Sequence, residues 1–159
     1  MRIGSGWDLH SLEINRPLIL GGVEIEDSPR GAVAHSDGDA LIHAMIDALL
    51  GAAGLEDIGT YFPDTDPTYK DIDSRVLLRM TNDLVREKDY DIVNFDTTIV
   101  LQSPKLSKYI PLMKEALAEA LDLDPSCIGI KAKTAEHILG ELGESKAVMT
   151  FATVLLEER

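Results

Sequence analysis

The chain has 159 residues, of which 45% are hydrophobic and 27% are charged. This length and composition are typical of one compact domain with a packed core, so we expect a single domain over residues 1–159. A formal net charge of −13 argues against binding to nucleic acid or to an anionic membrane surface. No apolar stretch is long enough to cross a membrane, and no apolar signal region follows Met1. The one cysteine, Cys127, excludes an internal disulfide.

Hydrophobic periodicity divides the chain into strands and helices. In the first half of the chain, the patterns predict a strand at 2–10, a hairpin at 18–25 that is bent at Gly21 and Gly22, and a helix across 41–50 that Ser36 or Asp37 can cap. A loop at 57–73 follows. The second half is predicted to contain a helix at 74–88, a strand at 92–101, a helix at 106–121, and strands at 128–134 and 147–156.

The connections between these elements indicate the fold class. Strands that alternate with helices are typical of a parallel sheet. The connection at 135–146, however, is too short for a helical crossover and favours an antiparallel arrangement of the last two strands. We therefore predict an α+β domain with one mixed or antiparallel sheet and helices packed on one face.

Asp8 and His10 form the first candidate functional group. They are two residues apart in a predicted strand, so their side chains share a face, and Gly4 and Gly6 before them would let the strand bend or approach another group closely. With His43 from the first predicted helix, they could form a three-ligand zinc site with an open fourth position, as catalytic zinc sites have. An Asp-x-His pair also occurs in strands that bind no metal, so spacing alone leaves both interpretations open.

Two further groups of polar residues could bind a substrate. Residues 34–39, 57–59 and 62–66 are rich in aspartate and could hold the hydroxyls of a polar ligand, although a helix cap and a solvated acidic loop would look the same. Residues 102–105 and 131–136 close two predicted strands with hydroxyls and lysines that could bind a base or a phosphate. Lysines at strand ends are also common as solubilising charges.

Seven segments of the sequence together resemble the cyclodiphosphate synthase family of isoprenoid biosynthesis. They are GSGWDLH at 4–10, AHSDGD at 34–39, DALLGA at 47–52, DIG at 57–59, FPDTD at 62–66, PK at 104–105 and KAKTAE at 131–136. They occur in the family's order and span nearly the whole chain. The resemblance implies an enzyme, a phosphorus–oxygen lyase, that converts 4-diphosphocytidyl-2-C-methyl-D-erythritol 2-phosphate to 2-C-methyl-D-erythritol 2,4-cyclodiphosphate and releases CMP.

The resemblance also implies a role for each matching position. Zn²⁺ is implied at Asp8, His10 and His43, and a second divalent ion, Mg²⁺ or Mn²⁺, at Glu136. His35 and Thr134 match catalytic positions that steady the phosphate in the transition state. The implied substrate-binding positions are Ser36, Asp57, Gly59, Asp64 and Asp66. The implied cytidine- or phosphate-binding positions are Leu101, Ser103, Pro104, Lys105, Leu106, Ala132, Lys133 and Lys146.

The resemblance implies a homotrimer with active sites between subunits, and in several members of the family a central cavity of the trimer takes up an isoprenoid diphosphate. The implied partner is thus a small nucleotide substrate, and the location is the cytoplasm of a bacterium or a plastid-type organelle of a eukaryote. Two features depart from the family pattern. Trp7 stands where phenylalanine is typical. Residues 137–146 stand where many members carry a glycine-rich turn that contains an arginine. Lys146 could supply the positive charge of that arginine, but not its bidentate guanidinium group.

Two other functions fit the same residues. A phosphohydrolase would use zinc-bound water to attack a phosphate ester, and it would incorporate solvent oxygen into its product. A non-catalytic trimer that senses an isoprenoid diphosphate would bind metal and ligand without releasing CMP.

Overall fold

The structure, a computed structural model, describes residues 1–159. Its elements are β1 (Arg2–Ile14), β2 (Ile19–Leu20), β3 (Val23–Glu24), β4 (Arg30–Ala32), α1 (Ala40–Ala53), α2 (Ile58–Tyr61), α3 (Ser74–Glu87), β5 (Tyr90–Val100), α4 (Ile110–Leu121), β6 (Ile128–Lys133) and β7 (Ala147–Glu158), with 3₁₀ turns at Pro67–Tyr69 and Pro125–Cys127. None of the helices has both the length and the apolar character that crossing a membrane requires.

Five of the strands form one mixed sheet in the order β4-β1-β7-β5-β6. Strands β5 and β6 are parallel and are joined through α4, whereas the other neighbouring pairs are antiparallel. Strands β6 and β7 run in opposite directions, as predicted, but β5 lies between them. The α+β class with a mixed sheet is confirmed. The expectation of only one sheet was wrong, because β2 and β3 form a separate hairpin that turns at Gly21 and Gly22.

The helices cover one face of the five-stranded sheet. Alternate residues of β1 and β7 point toward α1 and are buried or half-buried, while the residues between them point away. Trp7 and Phe151 are paired on neighbouring strands of the uncovered face, and 59% and 44% of these two residues remain exposed. Leu9 lies exposed on the same face.

Helix α1 packs directly on β1 because two glycines give it room. A Cβ atom at Gly4 or Gly6 would lie 2.0 Å or 2.2 Å from carbonyl oxygens of α1, so neither position accepts a side chain without backbone movement. This close approach confirms one of the two roles expected of these glycines. It also brings His43 on α1 next to Asp8 and His10, which lie farther along the same face of β1.

The start of α1 is fixed by Asp39, and not by Ser36 or Asp37 as the sequence suggested. The fully buried Asp39 carboxylate accepts a hydrogen bond from the Ile42 N–H, as an N-cap does. It also accepts the N–H groups of Gly21 and Gly22 at 3.0 Å and 2.7 Å. One side chain therefore joins the β2–β3 hairpin to the helix.

The predicted loop at 57–73 contains two short helical segments, α2 and the 3₁₀ turn at Pro67–Tyr69. Asp57 and Asp66 begin these segments, because their carboxylates accept the N–H groups of Thr60 and Thr68. Other bounds differ from prediction by a few residues at their ends. Strand β1 continues to Ile14, where it pairs with the short β4, which has too few residues to show alternation.

Candidate active site

Asp8, His10 and His43 bring three donor atoms together. Oδ2 of Asp8 lies 2.9 Å from Nε2 of His10 and 3.1 Å from Nδ1 of His43, and the two nitrogens are 3.3 Å apart. Ligand atoms at ordinary zinc distances in a tetrahedral site are about 3.3 Å from one another. The three donors thus match one face of such a tetrahedron, and the group could hold one metal ion.

The contacts within the group keep Asp8 ionised and favour the protonated form of His43. Burial acts to raise the pKa of Asp8, but hydrogen bonds from His10 and His43 outweigh it and keep that pKa well below its usual range. Burial acts to lower the pKa of His43, yet the hydrogen bond to Asp8 and the nearby carboxylates raise it overall. A metal ion must displace protons from imidazoles that bind it, so binding at this group is expected to weaken as the pH falls.

A cavity of about 450 Å³ opens beside the donor group. Its lining residues are His10, Val33, Ala34, His35, Ser36, His43, Ile58, Gly59, Phe62, Asp64, Tyr69 and Leu77. The structure therefore brings the proposed positions His35, Ser36, Gly59 and Asp64 to the same cavity as two of the metal-ligand candidates. The His35 ring is held in place, since its Nε2 lies 3.1 Å from the carbonyl oxygen of Asp66.

Two of the proposed substrate-binding residues do not line this cavity. Asp57 faces a separate depression, which Trp7 also lines, and its carboxylate accepts hydrogen bonds from the N–H and the hydroxyl of Thr60. The Asp66 carboxylate accepts the Thr68 N–H. In this chain the two carboxylates shape the segment that forms the cavity wall.

A second cavity, of about 190 Å³, lies where β5 and β6 end. Its lining residues are Leu101, Gln102, Pro104, Lys105, Leu106, Ser107, Ala132, Lys133 and Thr134. The two strands are parallel and in register up to Val100 and Lys133, so the loops that follow them emerge at the same edge. Loops at the carboxyl ends of parallel strands commonly bind ligands.

Ser103 and Lys146 are the proposed nucleotide-binding residues that lie outside this second cavity. Oγ of Ser103 lies 2.9 Å from Oγ of Ser145, and the Lys146 ammonium is paired with Glu144. Both contacts belong to the 137–146 segment, which is built of turns and departs from the family pattern in sequence.

Glu136 follows the second cavity with a φ of 52°, and its carboxylate accepts a hydrogen bond of 2.8 Å from the Thr134 hydroxyl. The structure has one group of three or more His, Cys, Asp or Glu side chains that could hold a metal ion together, and it consists of Asp8, His10 and His43. Glu136 is therefore not part of a preformed metal site. A single carboxylate suits Mg²⁺, which usually takes few protein ligands and completes its shell with water and substrate phosphates.

The chain matches the model of the YgbB family over residues 1–157, which is almost its full length. The chain belongs to the YgbB family. A relative in this family, the 2-C-methyl-D-erythritol 2,4-cyclodiphosphate synthase of Neisseria gonorrhoeae, is 52% identical over 156 residues, covering 98% of this chain and 96% of the relative. The motif resemblance to the cyclodiphosphate synthases is thereby confirmed, and the chain is an enzyme of this kind.

Solved structures of YgbB-type synthases have the same fold. A 2C-methyl-D-erythritol-2,4-cyclodiphosphate synthase in a CDP-bound form has a TM-score of 0.89 and 42% identity, over 98% of this chain and 100% of that chain. The bifunctional IspDF from Campylobacter jejuni has a TM-score of 0.94 and 42% identity over 99% of this chain. This chain spans 42% of that longer protein.

Several residues of this YgbB-family site could not be selected from the sequence. The fully buried Ser74 places its hydroxyl 3.0 Å from Nε2 of His43, across 31 positions of the chain. A serine at a helix start ordinarily indicates only a cap, so no sequence signal pointed to this contact. Tyr69 and Leu77 also line the first cavity with apolar surface. The sequence pattern assigned Tyr69 to a loop and Leu77 to the buried side of a helix, so neither was selected as a site residue.

Proposed function

We propose that the chain converts 4-diphosphocytidyl-2-C-methyl-D-erythritol 2-phosphate to 2-C-methyl-D-erythritol 2,4-cyclodiphosphate and releases CMP. The observation that supports this reaction most directly is the three-donor group of Asp8, His10 and His43 beside a cavity, in a chain 52% identical to a synthase of this name. Zn²⁺ is the ion proposed for this group, since imidazole nitrogens and one carboxylate in tetrahedral array suit zinc.

The proposed reaction transfers no atoms from solvent. An oxygen of the substrate's 2-phosphate forms a bond to the β-phosphorus, the bond from that phosphorus to the bridging oxygen breaks, and CMP leaves with the electron pair. An ionised phosphate is already a nucleophile, so the protein needs no general base. Catalysis then depends on positioning the two phosphates in line and on neutralising their charge.

The residues at the two cavities have separate tasks in this proposal. A zinc ion, when bound, would absorb negative charge on phosphate oxygens. The anchored ring of His35 and the hydroxyl of Ser36 orient the phosphate in the first cavity, and Gly59 and Asp64 hold the methylerythritol part.

The second cavity takes the cytidine end. Lys105 and Lys133 there supply positive charge that a chain of net charge −13 must concentrate locally to bind an anionic substrate. Thr134 steadies the phosphate, and Glu136 would hold Mg²⁺ or Mn²⁺, which would neutralise negative charge on the phosphates.

The active assembly proposed is a homotrimer of single 1–159 domains, with each site shared between two subunits. Two observations support sharing. The first and second cavities have no lining residue in common within one chain. The uncovered sheet face also exposes large apolar side chains, including Trp7, Leu9 and Phe151, and contiguous exposed apolar surface commonly marks an interface.

Phosphorus NMR in ¹⁸O-labelled water tests the reaction. The purified protein, loaded with zinc and supplied with magnesium and substrate, is expected to yield CMP and the cyclic diphosphate with no labelled oxygen in either. Label in a phosphate product would contradict the proposal in favour of a phosphohydrolase. Binding without CMP release would contradict it in favour of a sensor. Protein treated with a chelator is the control for metal dependence.

A further inference from the structure

The ring nitrogen of His43 that faces away from Asp8 has its own polar surroundings. Nε2 of His43 lies 3.0 Å from Oγ of Ser74 and 3.2 Å from Oγ of Ser36. Ser74 is fully buried at the start of α3, where it meets α1 and the segment that precedes α1. A neutral histidine has one N–H and one lone pair, so these hydroxyls influence which nitrogen keeps the lone pair.

The contacts of Ser74 decide the direction of its hydrogen bond to His43. Its hydroxyl lies 2.5 Å from Oδ1 of Asp37, and its backbone N–H donates to Oδ2 of the same carboxylate at 2.9 Å. A carboxylate only accepts hydrogen bonds. The single hydroxyl hydrogen of Ser74 is therefore directed at Asp37, and only the lone pairs of that oxygen remain for His43.

We propose that Ser74 and Asp37 are positioning residues that keep a hydrogen on Nε2 of His43, so that Nδ1, which faces Asp8 and His10, is the nitrogen that binds a metal. Nε2 must donate, because Ser74 can only accept from it. Nδ1, which stands 3.1 Å from Asp8 and 3.3 Å from His10, is then the nitrogen that gives up its proton when a metal binds. Carboxylate partners of metal-bound histidines commonly fix the tautomer in this way, and here a serine hydroxyl lies between the two groups.

The same contacts fix the location of the ring. The Asp37 backbone N–H donates to the carbonyl oxygen of Ile72, so Asp37 is tied to the start of α3 through backbone and side chain. Ser36 lacks such a constraint. Its Oγ accepts from the Gly38 N–H at 3.3 Å, and no carboxylate commits its hydrogen, so Ser36 can donate to His43 as well as accept. Ser36 therefore selects neither tautomer.

The inference rests on the metal-binding role of His43 and not on the cyclisation reaction, so it is tested without substrate. Long-range proton–nitrogen correlation spectra of the zinc-loaded protein report which nitrogen of each histidine keeps its hydrogen. The original protein should show His43 with hydrogen on Nε2, and Ser74→Ala should show a mixture of tautomers. Competition with a chelator should show zinc binding weakened about 10- to 100-fold in Ser74→Ala.

Ser36→Ala is the matched control, because it removes the other hydroxyl near Nε2. It should keep the tautomer and change zinc affinity less than about threefold, well below the effect of losing an orienting partner. Asp37→Asn is the second variant, since it keeps the Ser74 hydroxyl but no longer obliges it to donate, and it should give the same mixed spectrum.

Circular dichroism identifies variants that have lost the fold. Unchanged tautomer and zinc affinity in folded Ser74→Ala or Asp37→Asn would overturn the inference, as would a larger effect of Ser36→Ala. Failure of the cyclisation reaction would leave both readouts unaffected.

Discussion

Zinc binding at the three-donor group of Asp8, His10 and His43 should depend on each of its members, because a metal that loses one of three protein ligands keeps only two. We expect His10→Ala or His43→Ala to weaken zinc binding by more than about 100-fold, since losing an outer partner of a ligand alone costs 10- to 100-fold. Atomic absorption after dialysis measures the retained zinc. His137→Ala is the control, because His137 lies outside the group and should leave zinc content unchanged. Stoichiometric zinc in the double variant would refute the assignment.

Glu136 is exposed, and its carboxylate accepts one hydrogen bond from Thr134. Glu136→Gln keeps the size of the side chain but removes its charge. If this carboxylate holds the second divalent ion, the variant should need severalfold more magnesium for half-maximal turnover, while its zinc content stays unchanged. The magnesium dependence of initial rates measures the effect. A dependence that coincides with the original protein's would exclude Glu136 as a ligand.

At the scale of elements, the site depends on how closely α1 lies on β1. A Cβ at Gly6 would stand 2.2 Å from a carbonyl oxygen of α1, so Gly6→Ala must push the helix outward. We expect a loss of about 1–3 kcal/mol in the free energy of unfolding, together with weaker zinc binding, because His43 moves with the helix. Urea denaturation and chelator competition measure the two effects.

Gly51→Ala is the matched control for the glycine contact. Gly51 lies within α1, and a Cβ there would meet nothing within 4 Å. This variant should stabilise the protein by roughly 0.5–1 kcal/mol, since alanine is the better helix former. If Gly6→Ala proved as stable as Gly51→Ala, the close helix–strand contact would not be what holds α1 in place.

The buried N-cap Asp39, which joins α1 to the β2–β3 hairpin, makes the stability of the folded protein depend on pH. Burial and the nearby Asp37 raise the pKa of Asp39 to about 6 from the ordinary value of 3.8, although three backbone N–H groups oppose the change. The folded state thus binds this proton more tightly than the unfolded state. The contribution of Asp39 to stability should fall by about 3 kcal/mol as the pH rises from well below about 4 to well above about 6.

Asp39→Asn tests this dependence. The amide does not titrate, so the variant should lack the decline in unfolding free energy between about pH 4 and 6 that Asp39 contributes. It should also be less stable throughout, since the amide cannot accept all three N–H groups that the carboxylate accepts. Urea denaturation of both metal-free proteins across this pH range measures the difference between their free energies of unfolding. Titrating groups that the two proteins share contribute equally to both and cancel in this difference. Parallel curves would contradict the raised pKa.

Local patterns in the sequence were sufficient to predict some elements but not the contacts between them. The apolar spacing of 41–50 and the glycine pair at 21–22 are local signals, and both α1 and the hairpin were predicted from them. The position of β5 between β6 and β7 depends on long-range pairing that no local pattern encodes. Motifs located the Asp8 group, but the buried contact between Ser74 and His43 joins residues 31 positions apart and was missed.

At the scale of the whole molecule, the metal-ligand candidates and the candidate nucleotide-binding residues lie in different parts of the fold. The metal-ligand candidates and the first cavity belong to β1, α1 and the segments beside them, whereas Lys105 and Lys133 belong to the second cavity at the ends of β5 and β6. The proposed substrate, with a phosphate at one end and cytidine at the other, would have to contact both. The exposed apolar face around Trp7 and Phe151 offers a surface through which another copy could bring its second cavity to the first.

Mixed assemblies test whether each site is shared between subunits. His43→Ala removes a donor of the metal group, and Lys133→Glu reverses a charge in the second cavity, so each variant alone should be nearly inactive. In a trimer with shared sites, some interfaces of a mixed assembly pair an intact metal half with an intact nucleotide half. We therefore expect activity in the mixture to rise well above the sum of the two parents.

Native mass spectrometry provides the control for this experiment, because it shows whether subunits have exchanged and whether the species is a trimer. Mixtures of each variant with itself should stay inactive after the same treatment. If exchange is complete and activity never exceeds that of the parents, both cavities must serve one substrate within a single chain. Since they have no lining residue in common, that result would require the 101–107 loop to move toward the metal group when substrate binds.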